Sequence, residues 1–315
     1  MDLSIIIINW NTRDLLLNCL QSLTDNLGLQ SREIFVVDNG STDGSQPAVK
    51  ERFPAVTLIE NGRNLGFARA NNQALRQAGG RFLLLLNSDT VVPEGAIEGL
   101  MQTLEADPTI GIGGLQLLKE DGALQNSIYA FPSLATELTN KSLLRRLFPA
   151  SYPGKEQHIT NPVEVDGIIG SCMLVRREAM EQVGLFDEDY FFFFEETDWC
   201  LRMRKAGWKV VFDPRYFIWH LQGRSASQVN VRARIEYWRS RYTYFAKHFA
   251  GGTRCALRAG LLLKLVIDIG LASLVSLGAL VFGGKRPEKL EVYVALLLWH
   301  LRGCPADGGL ENSTG

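Results

Sequence analysis

The opening hundred residues carry three short apolar runs, each ending abruptly in polar residues. Ser4 to Ile8 passes into Asn9, Trp10 and Asn11. Ile34 to Val37 passes into Asp38, Asn39, Gly40, Ser41, Thr42 and Asp43, and Phe82 to Leu86 passes into Asn87, Ser88 and Asp89. Continuous apolar runs of this length read as strands buried on both faces. A carboxylate cannot stay in such a core, so the acids mark where the strands leave it. Between the runs lie Arg13 to Leu23, Gly44 to Arg52 and Phe67 to Gln77, which read as helices. Alternating strand and helix implies an α/β fold with a parallel sheet and right-handed crossovers, so all three polar exits share one edge. Ligands bind at that edge in open α/β sheets. Asp89 is therefore a candidate metal or phosphate-site residue, although Asn87 to Asp89 could equally form a turn before a helix starting at Pro93 and Glu94.

In the second half, Val165 to Arg176 reads as one strand interrupted only by the flexible Gly170 and the small Ser171. The aromatic run Tyr190 to Phe194 then meets Glu195, Glu196 and Asp198, just before a helical pattern from Trp199 to Lys205 that stops at Gly207. Acids in a first helical turn complement the macrodipole. Three of them beside a bulky apolar run also raise one another's pKa, which suits a general base. On a helix Glu195 and Asp198 share a face that Glu196 does not.

The stretches SIIIINWNT, FVVDNGSTDGS, NLGFARANNQAL, LLLLNSDT and EETDWCLRMRKAGW, in that order, resemble family 2 glycosyltransferases of the GT-A fold, nearest to the bacterial rhamnosyltransferase-like branch, over about residues 3 to 250. The resemblance implies a Rossmann-like nucleotide-binding half, a mixed, mostly parallel sheet flanked by helices, and a C-terminal helical tail. It implies an inverting transferase that moves a sugar, rhamnose from dTDP-rhamnose being the model case, from a nucleotide-diphosphate donor to a lipid-linked or polysaccharide acceptor. NSD stands where that family carries its DXD-type metal motif, with Asn87 in place of the first acid, leaving Asp89 as the motif's carboxylate for a divalent cation, Mn2+ or Mg2+. His220 matches a histidine that completes the metal site in relatives. Asn9, Trp10, Asn11 and Asp38 match positions that hold the donor nucleotide, and Asn87 and Ser88 join them. Gly66 permits close backbone approach, and a helix starting near Phe67 offers amides to an anion, so Asn64 and Gly66 are also expected in the nucleotide pocket. Glu196 aligns with the catalytic base, where many relatives carry Asp; Glu195 and Asp198 remain alternatives for that role, or orient the acceptor or cap the helix. Arg224, Arg239 and Arg241 are candidates for a diphosphate of donor or acceptor. The cation and base sites are expected to face each other across one cleft.

Net charge is −1, with 33 basic and 34 acidic side chains, which gives no footing for nucleic acid as a partner. Five cysteines without CxxC spacing favour a reducing compartment over a disulfide framework or zinc site. No secretory signal is expected before the first strand, which places the enzyme on the cytoplasmic side of the bacterial inner membrane. The last third differs. From Arg224 to Lys264 nine basic residues oppose the single acid Glu236, with aromatics interleaved, a composition suited to an anionic membrane surface. Leu261 to Phe282 is apolar but carries Lys264 and Asp268, so a helix lying against the membrane is expected rather than a span. Val292 to Leu301 is too short to cross and reads as another surface helix. The division expected is a catalytic domain over 1–222 and a basic, apolar tail over 223–315, with membrane contact through 224–301. Both tail helices could instead pack on a soluble body. Two other functions remain open: a sugar-nucleotide nucleotidyltransferase, for which Asn9 to Leu15 supplies no basic glycine-rich loop, and a catalytically silent membrane adaptor of the same fold.

Overall fold

The computed structural model describes residues 1–28, 31–149, 151–152, 159–221, 230–282 and 289–310. The chain runs β1 (Leu3–Asn9), α1 (Arg13–Asn26), β2 (Arg32–Asp38), α2 (Ser45–Arg52), β3 (Thr57–Glu60), α3 (Phe67–Leu75), β4 (Phe82–Asn87), β5 (Thr90–Val91), α4 (Ala96–Ala106) and β6 (Ile110–Leu118). It continues through β7 (Ile128–Tyr129), α5 (Leu134–Leu138), α6 (Lys141–Leu147), β8 (Val163–Glu164), β9 (Gly167–Ile168), β10 (Cys172–Arg176), α7 (Arg177–Val183), α8 (Glu195–Lys205) and β11 (Lys209–His220). Helices α9 (Asn230–His248), α10 (Gly251–Phe282) and α11 (Lys289–Leu301) follow.

The central sheet has the order β3-β2-β1-β4-β10-β6-β11-β5, with β8 added on β11. β1 pairs in parallel with β2 and β4, in a register that sets Asn9 opposite Asp38 and Ile8 opposite Asn87. The three polar exits therefore lie side by side, as the apolar runs predict. β10 enters antiparallel between β4 and β6, which makes the sheet mixed. Alternate residues of the strands feed two cores, one on each face. Ile5, Ile7, Leu84 and Leu86 pack with α1 and α4, while Ile6, Leu83 and Leu85 pack with α3, α7 and α8. Burial on both faces is why these strands read as unbroken apolar runs rather than alternating ones.

The stretch read as one strand from Val165 to Arg176 is two. β9 pairs with β7 in a separate two-stranded sheet, and β10 starts at Cys172. The break falls at Gly170: the Ile169 amide still donates to the Ser127 carbonyl on the β7 side, whereas the Ser171 carbonyl accepts from the Asn87 amide, one rung beyond the Cys172–Leu86 pair of the β4–β10 ladder. α8 begins at Glu195, a full turn before Trp199, and the preceding Phe193 and Phe194 both adopt left-handed backbone with φ of 70°. A third core joins Tyr190 and Phe194 of the aromatic run to Trp238, Tyr244 and Phe245 of α9, Leu257 and Leu261 of α10, and Trp299 of α11. The tail is thus packed onto the segment that leads into Glu195, Glu196 and Asp198.

Candidate active site

The polar edge of the sheet is one hydrogen-bonded network. Asn9 is fully buried; its amide nitrogen donates to Asp38 Oδ2 at 2.9 Å and to Ser41 Oγ at 3.0 Å, and its Oδ1 accepts from Thr12 Oγ1 at 2.7 Å. Thr12 Oγ1 lies 2.8 Å from Ser88 Oγ, which ties the first exit to the third. Asp38 Oδ1 accepts from the amides of Gly40 and Ser41 and from Gln46 Nε2, so this buried carboxylate holds the loop after β2 in place. Asn11, at a positive φ of 54°, is exposed and uses Oδ1 to accept from the Thr42 amide, which leaves Trp10 half-buried at the rim. Short Asn and Asp side chains suit such sites because they bond nearby backbone and tolerate the left-handed region.

Asn64 and Gly66 meet the same edge through Asn39, whose amide nitrogen lies 3.2 Å from both Asn64 Oδ1 and the Gly66 carbonyl. Two amides at the start of α3 are already engaged. Gly66 N–H donates to Asn64 Oδ1, and Phe67 N–H donates to the Phe191 carbonyl at 2.7 Å. Gly66 has φ of +84°, and a Cβ there would fall 2.5 Å from that same carbonyl. The glycine is required for contact between this turn and the aromatic run.

Asp89 and His220 are brought together by the short antiparallel pair of β5 and β11, in which His220 faces Thr90 and the Leu221 amide donates to the Asp89 carbonyl. His220 Nε2 lies 3.3 Å from Asp89 Oδ1 and 3.3 Å from Ser171 Oγ, and the Asn87 amide nitrogen reaches that same hydroxyl at 3.3 Å. On its other side His220 Nδ1 is 3.0 Å from Gln125 Oε1. The Gln125 amide is oriented by its nitrogen, which donates to the His220 carbonyl at 2.6 Å and the Leu118 carbonyl at 3.4 Å. Oε1 must then accept, so Nδ1 carries the proton and Nε2 turns toward the carboxylate of Asp89. With Nδ1 donating to Gln125, the Nε2 lone pair faces that carboxylate, an arrangement that suits a shared cation.

These residues fit a divalent cation. Adjacent ligands of an octahedral site with bonds of ~2.1 Å stand ~3 Å apart, and such ions take one or two protein ligands together with substrate phosphates and water. Histidine ligands characteristically donate their other N–H to a carbonyl oxygen, as Nδ1 does here. Among the described residues no group of three or more His, Cys, Asp and Glu side chains could hold a metal, so Asp89 and His220 would share the ion with the donor.

Glu196 lies against Gly170. A Cβ on Gly170 would sit 3.6 Å from Glu196 Cγ, so the glycine leaves the carboxylate room beside Ser171, the residue that bridges Asn87 and His220. The two acid sites are thus joined through the Gly170–Ser171 turn, across the break in the expected strand. Glu196 is half-buried, and desolvation by the packed surroundings raises its pKa. Glu195 points into the protein: it is 3% exposed, its Oε2 has no hydrogen-bond partner among the described residues, and burial, with the neighbouring Glu196 charge, pushes its pKa well up. Asp198 lies in the fold's interior pairing, not beside Gly170. It accepts from Arg202 Nε at 2.6 Å and pairs with His248 Nε2 of α9 at 2.6 Å. Burial works to raise its pKa, but the His248 hydrogen bond and the Arg202 charge hold it below the ordinary carboxylate range.

The arginine candidates fare differently. Arg224 lies outside the described residues. Arg239 donates to the Ala306 carbonyl and lies 3.8 Å from Glu236 Oε2, within the tail. Arg241 is buried, with Nε 3.0 Å from Glu137 Oε2 and its guanidinium over the rings of Tyr237 and Trp238. Neither lies with Asp89 and His220 in the hydrogen-bonded site. Sequence reading missed Gln125 and His248, which have no local signal; only the fold shows what each supports.

The family model for glycosyl transferase family 2 matches residues 4–184. An N-acetylglucosaminyl-diphospho-decaprenol L-rhamnosyltransferase of Mycobacterium tuberculosis is 31% identical over 240 residues, covering 71% of this chain and 78% of that protein. A low-salt glycan biosynthesis hexosyltransferase of Haloferax volcanii is 27% identical over 65% of this chain and 62% of its own length. Among solved structures, a mannosyltransferase of Pyrobaculum calidifontis in complex with GDP-mannose and Mn2+ superposes with a TM-score of 0.57 at 17% identity, over 96% of this chain and 88% of that one, a likeness of fold. Family match, relatives and architecture agree: this chain is a glycosyltransferase and belongs to glycosyl transferase family 2.

Proposed function

We propose that this enzyme is an inverting, metal-dependent transferase that moves a sugar, rhamnose from dTDP-rhamnose being the first donor to test, onto a lipid-linked glycan acceptor during cell-surface polysaccharide assembly. The observation that supports the reading is that Asp89 and His220 lie 3.3 Å apart with Ser171 3.3 Å from the histidine, and that Glu196 lies against the neighbouring Gly170. A nucleoside diphosphate leaves with negative charge, and a cation on Asp89 and His220 would supply the electrostatic stabilisation that departure needs. Glu196, on the other side of the turn, takes the proton from the acceptor hydroxyl. Its raised pKa strengthens it as a base for that proton once it is ionised. Attack from the side opposite the leaving group inverts the anomeric carbon. Asn9, Asp38, Asn39 and Ser88 form the floor on which Trp10, Asn11 and Asn64 face the nucleotide.

The lipid-linked acceptor rests on the mycobacterial relative, whose name couples rhamnosyl transfer to a decaprenyl diphosphate. The tail beyond residue 222 supports a membrane-surface location. α10 is the one helix among the described residues long and apolar enough to cross a membrane. Yet Leu257, Leu261 and Leu265 are buried against the body while Leu263, Val266, Ile267, Leu271, Leu274 and Val275 stand 52 to 66% exposed. A helix with one face docked on protein and the other apolar and open suits an interface lying along the inner leaflet.

The test is a donor screen that measures nucleoside diphosphate release with Mn2+ or Mg2+ and then with chelator. One preferred donor and a chelator-sensitive rate are expected, and Glu196→Gln should lower the rate by roughly 10²- to 10⁴-fold while the protein stays folded. Absence of binding or turnover of any sugar nucleotide overturns the proposal.

A further inference from the structure

Beside the catalytic segment lies a groove of about 790 Å³ between the α5–α6 corner, α9 and α10. Its walls carry Lys141, Arg234 and Lys264, all exposed, and the apolar Leu263 and Ile267. Its one acid, Glu137, is 5% exposed and already neutralised by Arg241 Nε at 3.0 Å and Lys141 Nζ at 3.4 Å. The groove therefore offers a cationic floor that continues directly into the exposed apolar face of α10. Charge on one side and hydrocarbon on the other match an amphiphile with a multiply charged anionic head.

The position of the groove adds a second constraint. Tyr237, which lines it, packs on Phe193 and Phe194 with ring centroids 5.4 and 5.3 Å apart, and these phenylalanines immediately precede Glu195 and Glu196. Tyr237 thus joins the wall of the groove to the segment that leads into Glu196. We infer that this groove is the acceptor subsite: Arg234, Lys264 and Lys141 hold the diphosphate of a prenyl-linked glycan, the prenyl chain runs along Leu263 and Ile267, and the attached sugar projects toward Glu196. The inference rests on the lipid-linked acceptor proposed above and names the residues that would select it.

The experiment uses the full chain and farnesyl diphosphate, with inorganic pyrophosphate and farnesyl monophosphate as comparison probes, by calorimetry. Farnesyl diphosphate should bind more tightly than either comparison probe. Arg234→Ala and Lys264→Ala should each weaken it by about tenfold, the scale of one charge-assisted contact. In turnover with a prenyl-diphosphate acceptor the same variants should raise KM for the acceptor and leave KM for the sugar nucleotide unmoved. Arg52→Gln, an exposed cation on α2, should change neither, and thermal melting of every variant separates lost binding from lost fold. Equal binding of farnesyl diphosphate by wild type and both groove variants, or equal loss with Arg52→Gln, overturns the inference. So does recovery of binding with vesicles of anionic phospholipid alone in place of the diphosphate. If donor turnover is intact when these fail, the transferase reading stands and only the subsite is wrong; if no sugar nucleotide is turned over, the reading beneath it fails.

Discussion

Replacement of Gln125 by Leu tests the cation site through a residue that does not touch the cation. Gln125 is 6% exposed and holds His220 twice, accepting at 3.0 Å from Nδ1 and donating at 2.6 Å to the histidine's own carbonyl. Leucine fills similar space but leaves both groups without their partner and frees the ring to turn or to carry its proton on Nε2, the atom that faces Asp89. Loss of a residue that orients a metal-bound histidine costs 10- to 100-fold in affinity, about 1.4 to 2.7 kcal/mol. Stability should fall by about 1–3 kcal/mol for the buried groups left unsatisfied. Free Mn2+ followed by electron paramagnetic resonance, titrated with protein at fixed nucleoside diphosphate and pH, reads the first effect; denaturant unfolding reads the second. Mn2+ binding within twofold of wild type, alongside the expected loss of stability, would show that Gln125 is packing only and that His220 does not hold the ion.

Further expectations concern the acids and the glycine beneath them. Because burial raises the pKa of Glu196, the acid limb of the kcat/KM profile should lie above the ordinary glutamate range near 4.3; a limb at or below that value refutes Glu196 as the base. Glu195 also has a raised folded pKa, so its contribution to stability is full below about 4.3 and is lost as pH rises through the folded value. Glu195→Gln should therefore gain in stability relative to wild type between pH 5 and pH 8, measured by unfolding at both; an equal or shrinking difference refutes the buried carboxyl. Gly66→Ala should lose more than about 1–3 kcal/mol, since it combines left-handed strain with overlap on the Phe191 carbonyl, and an unchanged melting temperature would contradict that contact.

Much of the nucleotide half was legible because it is local. Ser4 to Ile8, Ile34 to Val37 and Phe82 to Leu86 announce buried strands by composition, and the polar residues after them must fall at the sheet's edge. The acid cluster at Glu195 was legible as a unit, but the division of labour within it was not. Asp198 is claimed by His248, fifty residues on, and only the docking of α9 reveals that pairing. At Phe67 the first helical amide is taken by the Phe191 carbonyl, which arrives from a distant loop and so leaves no local signal. The strand drawn from Val165 to Arg176 is two because its halves pair with different partners, Gly167–Ile168 with β7 and the residues from Ser171 onward with β4, a choice no periodicity encodes.

Phe193 and Phe194 sit in a backbone region that costs a bulky residue about 1–3 kcal/mol each and persists only when surroundings enforce it. Here the enforcement comes from Tyr237 and Tyr244, which pack on those rings. The backbone leading into Glu195 and Glu196 is accordingly held by two rings of α9. Loosening α9 would free two phenylalanines to relax and shift the start of α8, so the seating of a helix outside the sheet is expected to register in turnover.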